Sequence, residues 1–247
     1  MTPPLQSTLP YDPFTRPRLP GVQPLEIGNW LIRDEAFAAQ MALRDQLLAE
    51  RRGEVVALDD GAREAADEML GLVLSLAYPG AKDCVMRPDG VAVPVDRADP
   101  LGTLGRLAQE DLCLLQKRGD EHVLTGAVLC FPASWMLAEK FQRPLVRIHA
   151  PVPPYDANIA ARVQRLFDGV RPERPLWRFN ALWYEDPALF QPRSEAAPRP
   201  ARRAETAAFF RSERQSILRL PDSGAVVFSI HSFVIPRDRI MAQFTAG

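Results

Sequence analysis

Three histidines carry much of the chemistry open to this chain, and one has an unusual setting. In Arg147-Ile148-His149-Ala150-Pro151-Val152-Pro153-Pro154 the imidazole precedes a run of prolines. The pattern predicts an extended segment over Leu145 to His149, with Arg147 and His149 on one side and Ile148 on the other. Proline φ angles are fixed, so the following backbone would be stiff. That suits a ligand that must present one nitrogen at a set distance. Neutral imidazole is the commonest metal ligand and a frequent axial ligand of haem iron. Arg147 could pair with a carboxylate of the bound group. A strand-end histidine bonded to a backbone carbonyl is the alternative, and spacing leaves both open. His231 shares an apolar strand face with Val227, Ser229, Phe233 and Ile235, which reads as a satisfied core histidine. His122, beside Gly119, Asp120 and Glu121, reads as a solvated turn residue.

Other reactive patterns are missing. Cys84, Cys113 and Cys130 fit neither a zinc site, a C-x-x-C redox pair nor an iron–sulfur ligand set. They read as reduced, mostly buried thiols. No phosphate-cradling glycine loop for ATP, NAD or FAD occurs. There is no G-x-S-x-G nucleophile elbow, no H-E-x-x-H zinc helix and no C-x-x-C-H haem attachment motif. An enzyme built from this sequence would bind its cofactor by shape and one or two ligands.

The elements that must position these residues are mixed. Helical spacing predicts helices over Asp34 to Arg51, Asp60 to Ala77, Trp135 to Phe141, Asp156 to Phe167 and Glu205 to Leu218. Strands are expected at Val55–Leu58, Val91–Val95, Trp177–Asp186 and Ala225–Ile235. Asp111 to Lys117 and His122 to Phe131 form a hairpin about Gly119-Asp120-Glu121. In the strand from Trp177, alternation puts Trp177, Phe179, Ala181 and Trp183 on one face and Arg178, Asn180, Leu182 and Tyr184 on the other. Antiparallel strands interspersed with helices predict an α+β fold with one main domain. Residues 1–24 hold seven prolines and five large apolar residues, and read as an arm lying on the domain, 25–247, or on a partner.

Composition narrows the function classes. Lys and Arg total 30 against 31 acidic residues, and only positions 82, 117 and 140 are Lys. A net charge of -1 leaves no broad footprint for nucleic acid or an anionic membrane. No apolar run approaches the ~18 residues of a membrane helix. The N-terminus lacks a secretory pattern, so a cytoplasmic protein is expected.

Several separated segments together resemble the haem-dependent oxidative N-demethylase alpha-subunit family. They are Leu129-Cys130-Phe131-Pro132-Ala133-Ser134-Trp135, Glu139-Lys140 and Ile148-His149-Ala150-Pro151-Val152-Pro153. Further on come Trp177-Arg178-Phe179-Asn180, Asp186-Pro187-Ala188-Leu189-Phe190, Arg211-Ser212-Glu213-Arg214-Gln215 and Leu220 to Phe228. The resemblance implies a PAS-like antiparallel sheet flanked by helices and holding haem b. It implies NADPH-driven, oxygen-dependent demethylation of a small secondary amine such as dimethylamine. Electrons would come from separate subunits carrying FMN and an iron–sulfur cluster, since this chain shows no loop or cysteine set for either.

By the same resemblance His149 is the iron ligand, with His231 the alternative. Arg147, Arg178 and Arg214 are candidates for the haem propionates. Tyr184, Asn180, Arg178 and Glu213 are candidate donors in the oxygen pocket. Trp183 and Glu185 offer an aromatic face and a carboxylate to an ammonium group. Ala181 departs from the aromatic residue expected after Asn180. The alternative function is a non-catalytic PAS-like sensor that binds haem or a small ligand.

Overall fold

A computed structural model describes residues 3–15, 21–149, 157–198 and 204–245, with backbone alone at 149, 157–160 and 245. Seven strands make one antiparallel sheet in the order β1-β7-β8-β9-β5-β6-β2. These are β1 (Gln23–Pro24), β2 (Val56–Leu58), β5 (Asp111–Arg118), β6 (Glu121–Val128), β7 (Leu176–Tyr184), β8 (Phe209–Arg219) and β9 (Val226–Pro236). A separate hairpin pairs β3 (Cys84–Met86) with β4 (Ala92–Pro94). The helices are α1 (Phe37–Glu50), α2 (Arg52–Val55), α3 (Arg63–Ala77), α4 (Pro100–Leu107), α5 (Leu137–Lys140), α6 (Leu145–His149), α7 (Ala157–Gly169) and α8 (Arg237–Thr245). The expected α+β class holds. No helix among the described residues is long and apolar enough to cross a membrane.

Strand alternation gives the sheet two different faces. Leu112, Leu114, Val227 and Leu218 share a core cluster with Trp30, Met69, Leu70 and Leu104 from the segments around α1, α3 and α4. Cys113, Phe228 and Ile217, the next residues along those strands, pack with Leu137, Leu145, Phe167 and Val170 of the α5–α7 layer. Burying both faces explains the near-continuous apolar run of β9. Asp111 ties the layers together. Its Oδ1 accepts from Arg44 Nη1 at 2.8 Å and from the Cys130 backbone N–H at 2.7 Å. Its Oδ2 accepts from the Phe131 N–H at 2.9 Å.

Two expected elements and one residue are corrected. The Glu205–Leu218 helix is strand β8 for most of its length. Its charges looked like a solvated helix face, but Arg211, Glu213 and Arg214 are buried between neighbouring strands. The extended segment at Leu145–His149 is helix α6, because Leu145 and Ile148, three residues apart, both pack into the α5–α7 cluster. With that, the alternation placing Arg147 beside His149 is lost. His122 is buried under α7, its Nδ1 2.9 Å from Gln164 Nε2.

The described part of the arm is built into the back of the sheet. Gln6 pairs with Val234 through both its backbone N–H and its side-chain carbonyl, each at 2.9 Å. Leu9 is 2% exposed and packs with Phe210, Phe233, Ile235 and Ile240.

Candidate functional site

The face of β7 and β8 turned toward the α5–α7 layer carries a polar group of residues. In register, Arg178 stands opposite Gln215, Asn180 opposite Glu213 and Leu182 opposite Arg211. Glu213 is buried, and its Oε2 accepts from Asn180 Nδ2 at 3.0 Å and Gln215 Nε2 at 3.2 Å. Its Oε1 faces Arg211 Nη2 at 3.8 Å. Arg211 donates through its Nη atoms to the carbonyls of Phe131 at 2.6 Å and Leu189 at 3.1 Å, while its buried Nε has no acceptor among the described residues. Tyr184 lies on this face, with the Arg211 guanidinium 5.9 Å from its ring centre.

Arg178 is the unbalanced member. Its Nε is buried with no acceptor among the described residues. Burial holds its pKa below the usual arginine value despite the pull of Glu213. Glu213 cannot serve it well, because both donors already on Oε2 fix that carboxylate. A buried guanidinium N–H lacking an acceptor is costly. An anionic ligand group would remove that cost, and guanidinium binds carboxylates in a bidentate fashion.

The same alternation separates residues expected to act together. Arg214 points to the opposite face, where its Nη1 donates to the Asn29 carbonyl at 2.8 Å and its guanidinium covers the Trp177 ring. It therefore cannot hold the same bound group as Arg178. Trp183 is also on that face, against Phe210, and its ring is covered by Arg237 at 3.9 Å. The aromatic surface expected to meet an ammonium ion is thus already taken by a cation. Glu185 is exposed just past the end of β7. Arg147 is exposed and donates to Glu195 Oε2 at 3.0 Å.

His231 is also on the far side of the sheet, 1% exposed. Its Nδ1 donates to Glu110 Oε1 at 3.0 Å and its Nε2 to Asp34 Oδ2 at 3.1 Å. Burial disfavours the imidazolium, but these two carboxylates outweigh it and lift the pKa to about 9. A doubly protonated ring has no lone pair for iron, so the alternative ligand is removed. Burial pushes the Cys130 thiol up to about 12 and Cys113 higher still, so neither offers a thiolate. His122 is held by Gln164. His149 ends α6 in the layer above the Arg178 face, and its side chain lies outside the described residues. So does the proline run after it.

Sequence reasoning missed Asp34, Glu110, Arg44 and Asp111. Only the register of distant segments brings such charges together. It also left Lys140 unassigned, although Lys140 was part of a quoted motif and is one of only three lysines.

Counted in chain order, the five long strands run 2-1-5-4-3 across the sheet. The helices between the second and third of them pack on the same side of the sheet as the polar group. That arrangement is a PAS-like α+β fold. A family model described as haem-dependent oxidative N-demethylase, alpha subunit-like, matches residues 21–246, and the chain belongs to that family. The described residues form no cluster of three or more His, Cys, Asp or Glu that could hold a metal ion. A haem asks less, a single axial side chain for the iron and donors for the propionate carboxylates at the ring edge. Arg178, with its unpartnered Nε, fits such a carboxylate.

Proposed function

We propose that this chain is the haem-bearing subunit of an oxidative N-demethylase acting on a small secondary amine. The observation that supports it most is the half-buried Arg178, whose buried Nε lacks an acceptor among the described residues on the sheet face turned toward the α5–α7 layer. In this reading His149 ligates the iron and Arg178 binds one propionate of haem b. When bound, the haem supplies oxygen activation and oxidation of the N-methyl carbon. Dimethylamine, O2, NADPH and a proton would give methylamine, formaldehyde, water and NADP+. The two electrons must come from separate FMN and iron–sulfur subunits.

The chain's own residues have distinct tasks. Asn180 and Gln215 orient the Glu213 carboxylate through Oε2. That leaves Oε1 as the oxygen able to hold or pass a proton. The Tyr184 hydroxyl, on the same face, is the second proton-bearing group. Ile230, buried on that face, limits water there.

Haem-loaded protein should show a Soret band that His149→Ala loses or alters. With a flavin and iron–sulfur reductase added, dimethylamine should yield formaldehyde in an oxygen-dependent way. Glu213→Gln should keep its haem and lower kcat by about 10²-fold or more. No formaldehyde from any of several methylamines would overturn the enzymatic reading. The covered Trp183 ring favours a second reading, a haem-binding PAS-like sensor without turnover. Amine-dependent oxygen consumption separates the two.

A further inference from the structure

We infer that Lys140 and Glu195 form a positioning clamp for the end of α6 and, through it, for His149. The inference rests on the reading of His149 as the iron ligand. Lys140 is 5% exposed, and lysine is almost never buried unless paired. Its Nζ donates to the Ile148 carbonyl at 2.7 Å and to the Glu195 carboxylate. The other oxygen of Glu195 accepts from Arg147. The preceding residue completes the clamp. Glu139 accepts from Ser194 Oγ at 2.6 Å and from the Glu195 backbone N–H at 2.9 Å. Two adjacent residues of α5 thus hold both the loop at 194–195 and the last turn of α6.

This geometry bears on the next residue. A five-residue helix has few hydrogen bonds of its own, and its last carbonyls lack partners within the helix. A lysine ammonium satisfies one of them and complements the negative end of the helix dipole. The Ile148 carbonyl and the His149 N–H belong to one planar peptide unit. Fixing the Ile148 oxygen therefore fixes the plane from which His149 departs. An exposed ion pair would do nothing comparable. Here the cation is buried and its acceptor adjoins the proposed ligand.

The test uses the full chain loaded with haemin, comparing wild type with Lys140→Met, Lys140→Arg, Glu195→Gln and His149→Ala. The readouts are the absorption and EPR signature of the iron and the rate of haem transfer to apomyoglobin, with circular dichroism for the fold. Lys140→Met should speed haem loss about 10- to 100-fold, the usual effect of removing a residue that orients a metal ligand. Its signature should move toward that of His149→Ala. Glu195→Gln should shift both readouts the same way by less, and Lys140→Arg should restore most of the wild-type behaviour. A wild-type signature and rate in both Lys140→Met and Glu195→Gln, while His149→Ala loses its signature, overturns the clamp and leaves the ligand reading standing. An unchanged signature in His149→Ala overturns both. If Lys140→Met does not fold, a wild-type rate in Glu195→Gln overturns the clamp.

Discussion

His231 shows how far a side chain's role depends on its partners. An imidazole on an apolar strand could be a neutral core group or a metal ligand. Between Asp34 and Glu110 it is an imidazolium cation. Removing it leaves two carboxylates buried and uncompensated, so His231→Ala should cost about 3–5 kcal/mol by urea unfolding. The pH dependence follows from the same contacts. The folded pKa is about 9, above the unfolded value. The stabilisation is therefore complete below about pH 6.5 and is lost as pH rises toward 9. Asp34 acts at the other end. Burial raises its pKa, but bonds from His231, Gln109 and Gln6 pull it down to about 2. Its contribution is present above its unfolded value and is lost as pH falls toward 2. Urea midpoints should fall between pH 6.5 and 9 in wild type and stay flatter in His231→Gln. Equal slopes in both proteins would contradict the imidazolium assignment.

Helix α4 and strand β8 illustrate what pattern alone conveys. Asp99 caps α4 by accepting from the Gly102 N–H at 3.1 Å, and Pro100 opens its first turn. The pattern named no element over this stretch, and its small residues are required by packing. A Cβ on Gly105 would lie 2.7 Å from Val128 Cγ2 and 3.0 Å from Leu48 Cδ1. Gly105→Ala should destabilise by about 1–3 kcal/mol through overpacking, despite alanine's better helix propensity. Thermal melts that show a gain would mean that α4 can move away from β6. The helices α1, α3 and α7 were legible from their helical spacing, and the β5–β6 hairpin from two runs of strand formers about the Gly119 turn. β8 was not, because its charges are neutralised by partners distant in sequence. α6 was not, because five residues carry too little periodicity.

The described arm and the missing reductase motifs concern the molecule as a whole. Leu9 and Gln6 are part of the packing behind β8 and β9. Leu9→Ala should cost about 2–5 kcal/mol, measured by thermal or urea unfolding. A change within error would show that the arm merely rests on the surface. If the chain relies on separate reductases, anaerobic NADPH alone should leave the spectrum of the haem-loaded protein unchanged. Reduction should follow only when a flavin and iron–sulfur reductase is added.

The amino-acid order by itself determined the α+β class, the strands other than β8 that carry clear alternation or apolar runs, and the resemblance to an N-demethylase family. Those depend on local periodicity and on motifs read along one chain. It also placed Arg178 and Asn180 on one face of β7, because strand alternation is a local rule. The fold decided which candidates meet. It set Glu213 beside Asn180, turned Arg214 to the other side and laid Arg237 over the Trp183 ring. It closed His231 between carboxylates and laid Lys140 against the carbonyl before His149. Each of those outcomes depends on the register between distant strands or on contacts between separate layers, and spacing along the chain encodes neither.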